Sequence, residues 1–476
     1  MLLLALIAVP LLAAGVAALL PSEERRPYAI PVAAVGHLAL TLRAVSGPSP
    51  RALGGWLAID PPGRLVLLLL SVLFALCAFY AVGYLRYRRE LSNRVFVPCI
   101  LVFLAMTTLV ACSQHLGLMW VAVEAATLTT APLIYFNRTP RSIEATWKYL
   151  LVGSVGIALA LLGSFFLAYA SLGQDSSLLF GDLLARADHM SRSWLRVAFI
   201  LLLVGYGTKM GLAPMHTWKP DAYGEAPGVV GALLAGGLTN CAFLALVRVF
   251  RICEAAGEGP YASRLLVSFG LLSIAVAAVF VVGQRDFKRM LAYSSVEHMG
   301  ILVLGVGLGG AGVFAALLHM LNNGLTKGVL FLSAANIHRA FDSKSIDDVS
   351  GAMRRVPLSG TLFLLGFFAI TGSPPFGPFV SEFLIVSRAI AAERFLVAAG
   401  VLLLLLVVFV GMGRTVVAMV QGAPSPAAER SSYRDGLLTG APALLSLALV
   451  LVLGLHIPPP LAALLREAAA FLGARP

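Results

Sequence analysis

The run Leu195-Arg196-Val197-Ala198-Phe199-Ile200-Leu201-Leu202-Leu203-Val204-Gly205-Tyr206-Gly207-Thr208-Lys209-Met210-Gly211-Leu212-Ala213-Pro214-Met215-His216 decides the fold class. A helix of about 20 mostly apolar residues crosses the roughly 30 Å of bilayer hydrocarbon, and this run is long enough. Yet Lys209 sits well inside it, and the run ends in a glycine and a proline. A charge at membrane depth costs about 2.5–3.5 kcal/mol on insertion scales, so it points to a task. An ion or proton path is the default reading.

Segments of the same kind recur along the 476 residues, which are 59% hydrophobic and 12% charged. A soluble domain carries about 25% charged residues. We read fourteen spans, near 2–20, 28–46, 64–84, 95–112, 114–135, 148–171, 195–216, 227–250, 262–283, 290–309, 312–340, 358–392, 394–419 and 436–456. Lipid offers no partner to free backbone groups, which favours helices. A membrane barrel would instead alternate over ten-residue strands. The chain therefore reads as an all-α polytopic membrane protein of about 14 transmembrane helices. No soluble domain fits between the spans, and the longest connection lies near 172–194.

The first span lacks a basic segment before it, and Arg25 and Arg26 follow it, so a retained helix is expected rather than a cleaved signal. Connections after the odd-numbered spans hold 20 Lys/Arg against 13 on the other side. The positive-inside rule then puts both termini outside a cytoplasmic membrane, read as bacterial or archaeal. The net charge of +12 is mainly this topology signal, with some contact to anionic lipid. No nucleic-acid motif is present. Cys77, Cys99, Cys112, Cys241 and Cys253 form no C-x-x-C pair or Cys/His set. With no Gly-rich nucleotide loop and no haem pair, no cofactor, metal or redox chemistry is expected on this chain.

Two spans carry internal breaks. Span 7 runs into Gly211-Leu212-Ala213-Pro214, then His216, Trp218, Pro220 and Asp221. Span 12 runs through Gly372-Ser373-Pro374-Pro375-Phe376-Gly377-Pro378 and then Glu382. Proline removes a backbone donor and clashes with the preceding turn. Gly/Pro-interrupted helices at matching places in two halves of a transporter mark its binding or translocation site. The five-span separation fits two five-helix repeats, at 95–250 and 262–419, between three N-terminal spans (1–94) and a last span with a tail (436–476).

The ionisable residues follow from these spans. Glu124 is the only carboxylate of span 5 and the obvious counter-ion for Lys209 if spans 5 and 7 pack together. In span 11, His319, Asn323 and Lys327 fall at i, i+4 and i+8, on one helix face. His338 lies within about 100° of that face, and the stripe is about 28 Å long. A polar seam that long reads as a wet path. His298 in span 10 is a relay candidate, and its neighbour Glu297 faces about 100° away. The cluster Asp286-Phe287-Lys288-Arg289 reads as a solvated anchor. Glu382 would take or release a proton at one end of the path, unless it merely pairs with a base such as Arg388. Asp221, Glu225 and Lys219 read as loop and cap residues.

These residues resemble the antiporter-like membrane subunits shared by respiratory complex I, multisubunit cation/proton antiporters and membrane-bound hydrogenases. Lys209-Met210-Gly211-Leu212-Ala213-Pro214-Met215-His216-Thr217-Trp218-Lys219-Pro220-Asp221-Ala222 looks like that family's span-7 signature. Ala292-Tyr293-Ser294-Ser295-Val296-Glu297-His298-Met299-Gly300 looks like a second one. The resemblance covers nearly the whole chain. It implies fourteen helices, inverted repeats, proton translocation and a glutamate–lysine pair at Glu124 and Lys209. Within the family, Trp120–Thr127, Ser142–Leu150 and Pro374–Phe383 look most like the F component of hydrogenase-4-type complexes. Glu382 matches the acidic span-12 end of the subunit-M type. Two positions depart from the family. Complex I members usually carry a central lysine in span 8, where Asn240 stands, and a histidine is frequent where Asn323 stands. An amide hydrogen-bonds water but carries no proton at neutral pH.

The expected function is proton translocation by a subunit of a larger membrane redox complex, hydrogenase-4-like or NADH-quinone oxidoreductase-like. Electrons would flow in other membrane subunits and a peripheral redox arm. The path would use Glu124, Lys209, His298, His319, Lys327 and Glu382, with Asn240, Asn323, His216 and His338 beside it. The competing expectations are a cation/proton exchanger with sodium as the coupled ion, and a non-conducting structural scaffold.

Overall fold

The computed structural model describes residues 1–171 and 177–473. Part of the long connection expected near 172–194 thus lies outside the described residues, as do the last three residues of the expected tail. Two outer helices, α1 (Leu2–Leu19) and α2 (Ala29–Ser46), pack on each other. Three of the next helices start where a side chain takes up free backbone N–H groups. Asp60 accepts from Gly63 N at 2.9 Å ahead of α3 (Pro61–Tyr87). After α4 (Phe96–Cys112), His115 caps α5 (Leu116–Ile134) and Thr139 caps α6 (Pro140–Ala170). The short α7 (Phe180–Ala185) leads into α8 (Arg192–Met210).

At the first break, Gly211 adopts φ 75°, a left-handed helix end that glycine takes without steric cost. The chain then restarts as α9 (Trp218–Glu225). Next, α10 (Gly228–Leu233) runs into α11 (Thr239–Ala255) through a π turn at Leu234–Leu238. Beyond α12 (Gly259–Val281), Asp286 accepts from Lys288 N and Arg289 N to open α13 (Phe287–Gly307), followed by the long α14 (Ala311–Phe341). A single turn, α15 (Ala352–Arg355), precedes α16 (Pro357–Ile370). Span 12, read over 358–392 with an internal break, is two helices, because α17 (Gly377–Ala391) begins only after that break. The last three are α18 (Phe395–Val420), α19 (Leu437–Leu455) and α20 (Pro459–Phe471). The expected tail thus contains α20, which packs on α3 and α14. The one sheet among the described residues is a two-residue ribbon, Arg51–Ala52 with Leu57–Ala58.

Eleven of the described helices are long and apolar enough to cross a membrane. Their burial sets the layers. The most apolar windows of Gly228–Ala255 and α13 are wholly buried, whereas those of α1 and α18 are 28% buried. Nearly all of α14 is buried too. Glu297 and His298 of α13 and His319 and Lys327 of α14 therefore sit inside the bundle.

Small residues let helices approach closely, as lipid-solvated helices require. A Cβ on Gly205 of α8 would lie 2.6 Å from Ala160 N of α6, and one on Gly156 would lie 2.6 Å from Thr208 Cβ. This seam holds α8 at a fixed depth against α6. Gly205→Val is expected to cost about 1–3 kcal/mol through overpacking, read as a lower apparent melting temperature in detergent. An unchanged melting temperature would show that the seam yields.

Candidate functional site

Three helices meet at Lys209. Its ammonium, in the last turn of α8 and 1% exposed, donates to Glu124 Oε2 of α5 at 3.1 Å and to Thr127 Oγ1 at 2.7 Å. Ser154 Oγ of α6 donates to Glu124 Oε1 at 3.3 Å. The close approach needs Gly153, where a Cβ would stand 2.9 Å from Lys209 Nζ. Glu124 keeps 18% of its side chain exposed, so the pair has one dry and one open member. The break folds back on this site, with Trp218 Nε1 donating to Thr208 O at 2.8 Å.

A second cluster forms on α13. Lys327 of α14 donates to Ser294 Oγ at 2.8 Å and to Leu291 O at 3.3 Å. One turn further along, His298 Nδ1 lies 3.0 Å from His319 Nε2, and His319 Nδ1 lies 2.9 Å from Ser381 Oγ of α17. Ser381 Oγ also lies 2.9 Å from Pro378 O, so the hydroxyl and the two imidazoles form one hydrogen-bonded chain whose direction depends on the tautomers. His298 Nε2 lies 3.9 Å from Glu297 Oε2. Glu382 Oε1 lies 3.9 Å from His298 Nδ1 and is itself unpartnered. The Glu382 carboxylate folds over the second break so closely that a Cβ on Gly372 would collide with it.

Several expected groupings differ. On the α14 stripe, both His319 and Lys327 hydrogen-bond towards α13, and His319 also reaches α17. Among the described residues, no hydrogen bond joins His338 to them. Asn323 is buried with both amide atoms unpartnered, as is Asn322. Asn240 donates to Gly236 O of its own helix at 2.9 Å, so it bridges no ionisable groups. His216 Nδ1 lies 3.2 Å from Pro214 O and packs by Phe280 and Tyr293, apart from both clusters. Arg388 donates to Gly309 O at 3.1 Å, so it is not the partner of Glu382. Among the described residues, one His/His/Glu set (His298, His319, Glu382) offers ligand atoms within 4.8 Å of one another, a spacing that a cation could bridge.

Two basic residues read as exposed are buried. Lys288 is 2% exposed and donates to Gly224 O at 2.9 Å and Ala226 O at 2.6 Å, closing the end of α9. The solvated member of that cluster is Arg289, paired with Asp221 at 2.5 Å. Asp221 also meets Lys148 at 2.9 Å, and Glu225 meets Lys344 at 2.5 Å. Lys219, read as a loop residue, is fully buried, with Ser295 O at 3.4 Å. Hydropathy hid it, because it stands between Trp218 and Pro220 in the broken part of span 7. A third charge so close to an intramembrane break was the available signal.

Comparison with known proteins agrees with this fold. The family described as NADH:quinone oxidoreductase/Mrp antiporter, transmembrane region, matches residues 113–407. A hydrogenase-4 component F homolog from Methylacidiphilum infernorum is 36% identical, over 84% of this chain and 87% of that protein. An NADH-quinone oxidoreductase subunit N from Desulforudis audaxviator is 31% identical, over 84% and 81%. Among solved structures, a chain of the Mrp complex from Dietzia sp. superimposes with a TM-score of 0.88 at 22% identity, covering 99% of this chain and 98% of that one. A chain of respiratory complex I from Thermus thermophilus gives 0.78 at 27% identity, covering 96% and 97%. The chain is an integral membrane, antiporter-like subunit. It belongs to the NADH:quinone oxidoreductase/Mrp antiporter transmembrane family.

Proposed function

We propose that this chain moves protons within a multisubunit membrane redox complex of the hydrogenase-4 or NADH-quinone oxidoreductase type, whose electrons flow in other subunits and a peripheral arm. The observation that carries the reading is the Lys209–Glu124 contact of 3.1 Å, inside an apolar bundle that also holds a second buried set at Lys327, His319, His298 and Glu382. The buried, unpartnered amides of Asn322 and Asn323 lie between Lys327 and His319 on α14. Polar atoms of that kind are normally satisfied by internal water, which would link the two. Asn240 and His216 stand beside this path rather than in it, and His338 lies beyond it. The fourteen-span reading accompanies the proposal, with inverted repeats at 95–250 and 262–419, further spans at 1–94 and 436–476, and both termini outside a bacterial or archaeal cytoplasmic membrane. The chain itself needs no cofactor for this role.

The test starts from a tagged chain and the subunits that purify with it, which identify the electron donor. The whole complex in liposomes, turning over that donor, is expected to move protons in sodium-free buffer, read with a trapped pH dye. Movement that stops without sodium would replace the proton reading with cation exchange. Redox turnover with no ion movement would favour the scaffold.

A further inference from the structure

Lys209 and Lys327 are held by different helices, and no protein group described above passes a proton between them. Lys219 stands in that gap. Its stem packs on Gly211, the residue that ends the helix of Lys209, so closely that a Cβ on Gly211 would overlap it. Its Nζ lies 3.4 Å from Ser295 O of α13. Lys327 reaches the adjacent Ser294 Oγ and Leu291 O. Two lysines from different helices thus converge on one turn of α13. Among the described residues, no carboxylate pairs with Lys219. The Tyr223 ring lies 5.8 Å from Nζ. A carboxylate partner favours the charged form of a lysine, and Lys219 has none to hold its proton in place.

We propose that Lys219 is the central proton carrier of this chain, joining the Glu124–Lys209 pair to Lys327 across the first helix break. It would do from α9 what Asn240 on α11 cannot do. The step is one proton transfer from the Lys209 ammonium, directly or through water, to the neutral Lys219 amine, and then from the Lys219 ammonium to the neutral Lys327 amine. No bond to carbon changes and no electron moves. The inference rests on the proton reading above.

The experiment uses the intact complex in liposomes with three variants. Lys219→Met keeps the stem without the amine and is expected to lower proton movement at least 10-fold, with subunit composition and redox turnover capacity retained. Lys219→His restores a titratable group. An imidazole ordinarily titrates near 6.5 and a lysine near 10.4, so its proton movement is expected to recover at low pH and to fail at least about one pH unit below the wild-type limit. The groups facing Lys219 stay unchanged in this variant: Lys327 from α14, His298 from α13, Tyr223 from α9 and His216 from the break itself. Lys209→Met runs in parallel. If Lys209→Met fails and Lys219→Met moves protons at more than half the wild-type rate, Lys219 is not a carrier. A Lys219→His variant matching Lys219→Met at every pH would assign it a packing role and overturn the inference. Full movement in Lys209→Met would instead bring down the role of the Glu124–Lys209 pair on which the inference rests.

Discussion

Lys209→Met is expected to lower proton movement by about 100-fold or more, the scale lost when a positioned proton-transfer group is removed. Methionine keeps the unbranched stem beside Gly153, so α5, α6 and α8 can still pack. What disappears is the ammonium that touches Glu124. Two unit charges about 4 Å apart attract by about 4 kcal/mol at an effective dielectric of 20. That energy couples the open member of the pair to the dry one. On the proposed function, a positive charge arriving near Glu124 would weaken the attraction and let the lysine turn from Glu124 and Thr127 towards the interior. Glu124→Gln preserves the shape and the Lys209 hydrogen bond but removes the charge, so it is expected to reduce proton movement by a smaller factor, about 10-fold. Blue-native gels check assembly, and a trapped pH dye reads transport. Undiminished transport in both variants would refute the pair's role.

The reach of the sequence differs from residue to residue. Lys209 is legible because one charge stands in an apolar run, and Glu124 because its span holds no other carboxylate. Pro214 and Pro374-Pro375 locate both breaks, since a ring without an N–H interrupts any helix. The pairing of His298 with His319 is not legible, because it depends on how α13 and α14 are rotated against each other, which spacing within one helix does not fix. Spacing does place His319, Asn323 and Lys327 on one face of α14. It does not say that α13 and α17 pack on that face. Lys219 and Lys288 escape the sequence for one reason. Both stand beside Gly, Pro or acidic residues that mark loops in soluble proteins, whereas here the connecting segment is drawn into the bundle and its lysines are buried with it.

A second large effect is expected where the fold sets the level of α5. Arg248 of α11 is 2% exposed. It meets both carboxylate oxygens of Asp60, at 2.8 and 2.7 Å. It also donates to Val110 O, Ala111 O and Ser113 O, the carbonyls that end α4. Met119 Sδ of α5 lies 3.8 Å away. One side chain thus gathers the start of α3, the end of α4 and the first turns of α5, and Glu124 follows on that same helix. Removing one partner of a buried pair leaves the other charge uncompensated, at about 3–5 kcal/mol, and here three carbonyls lose a donor as well. Arg248→Met should therefore lower the melting temperature of the purified protein in detergent more than Gly205→Val does. Pairing it with Asp60→Leu removes the stranded carboxylate and should recover part of the loss. That partial rescue separates a lost clamp from a simple packing defect. Equal melting temperatures for the single and double variants, or no shift in either, would mean that Asp60 and Arg248 do not hold these helix ends together.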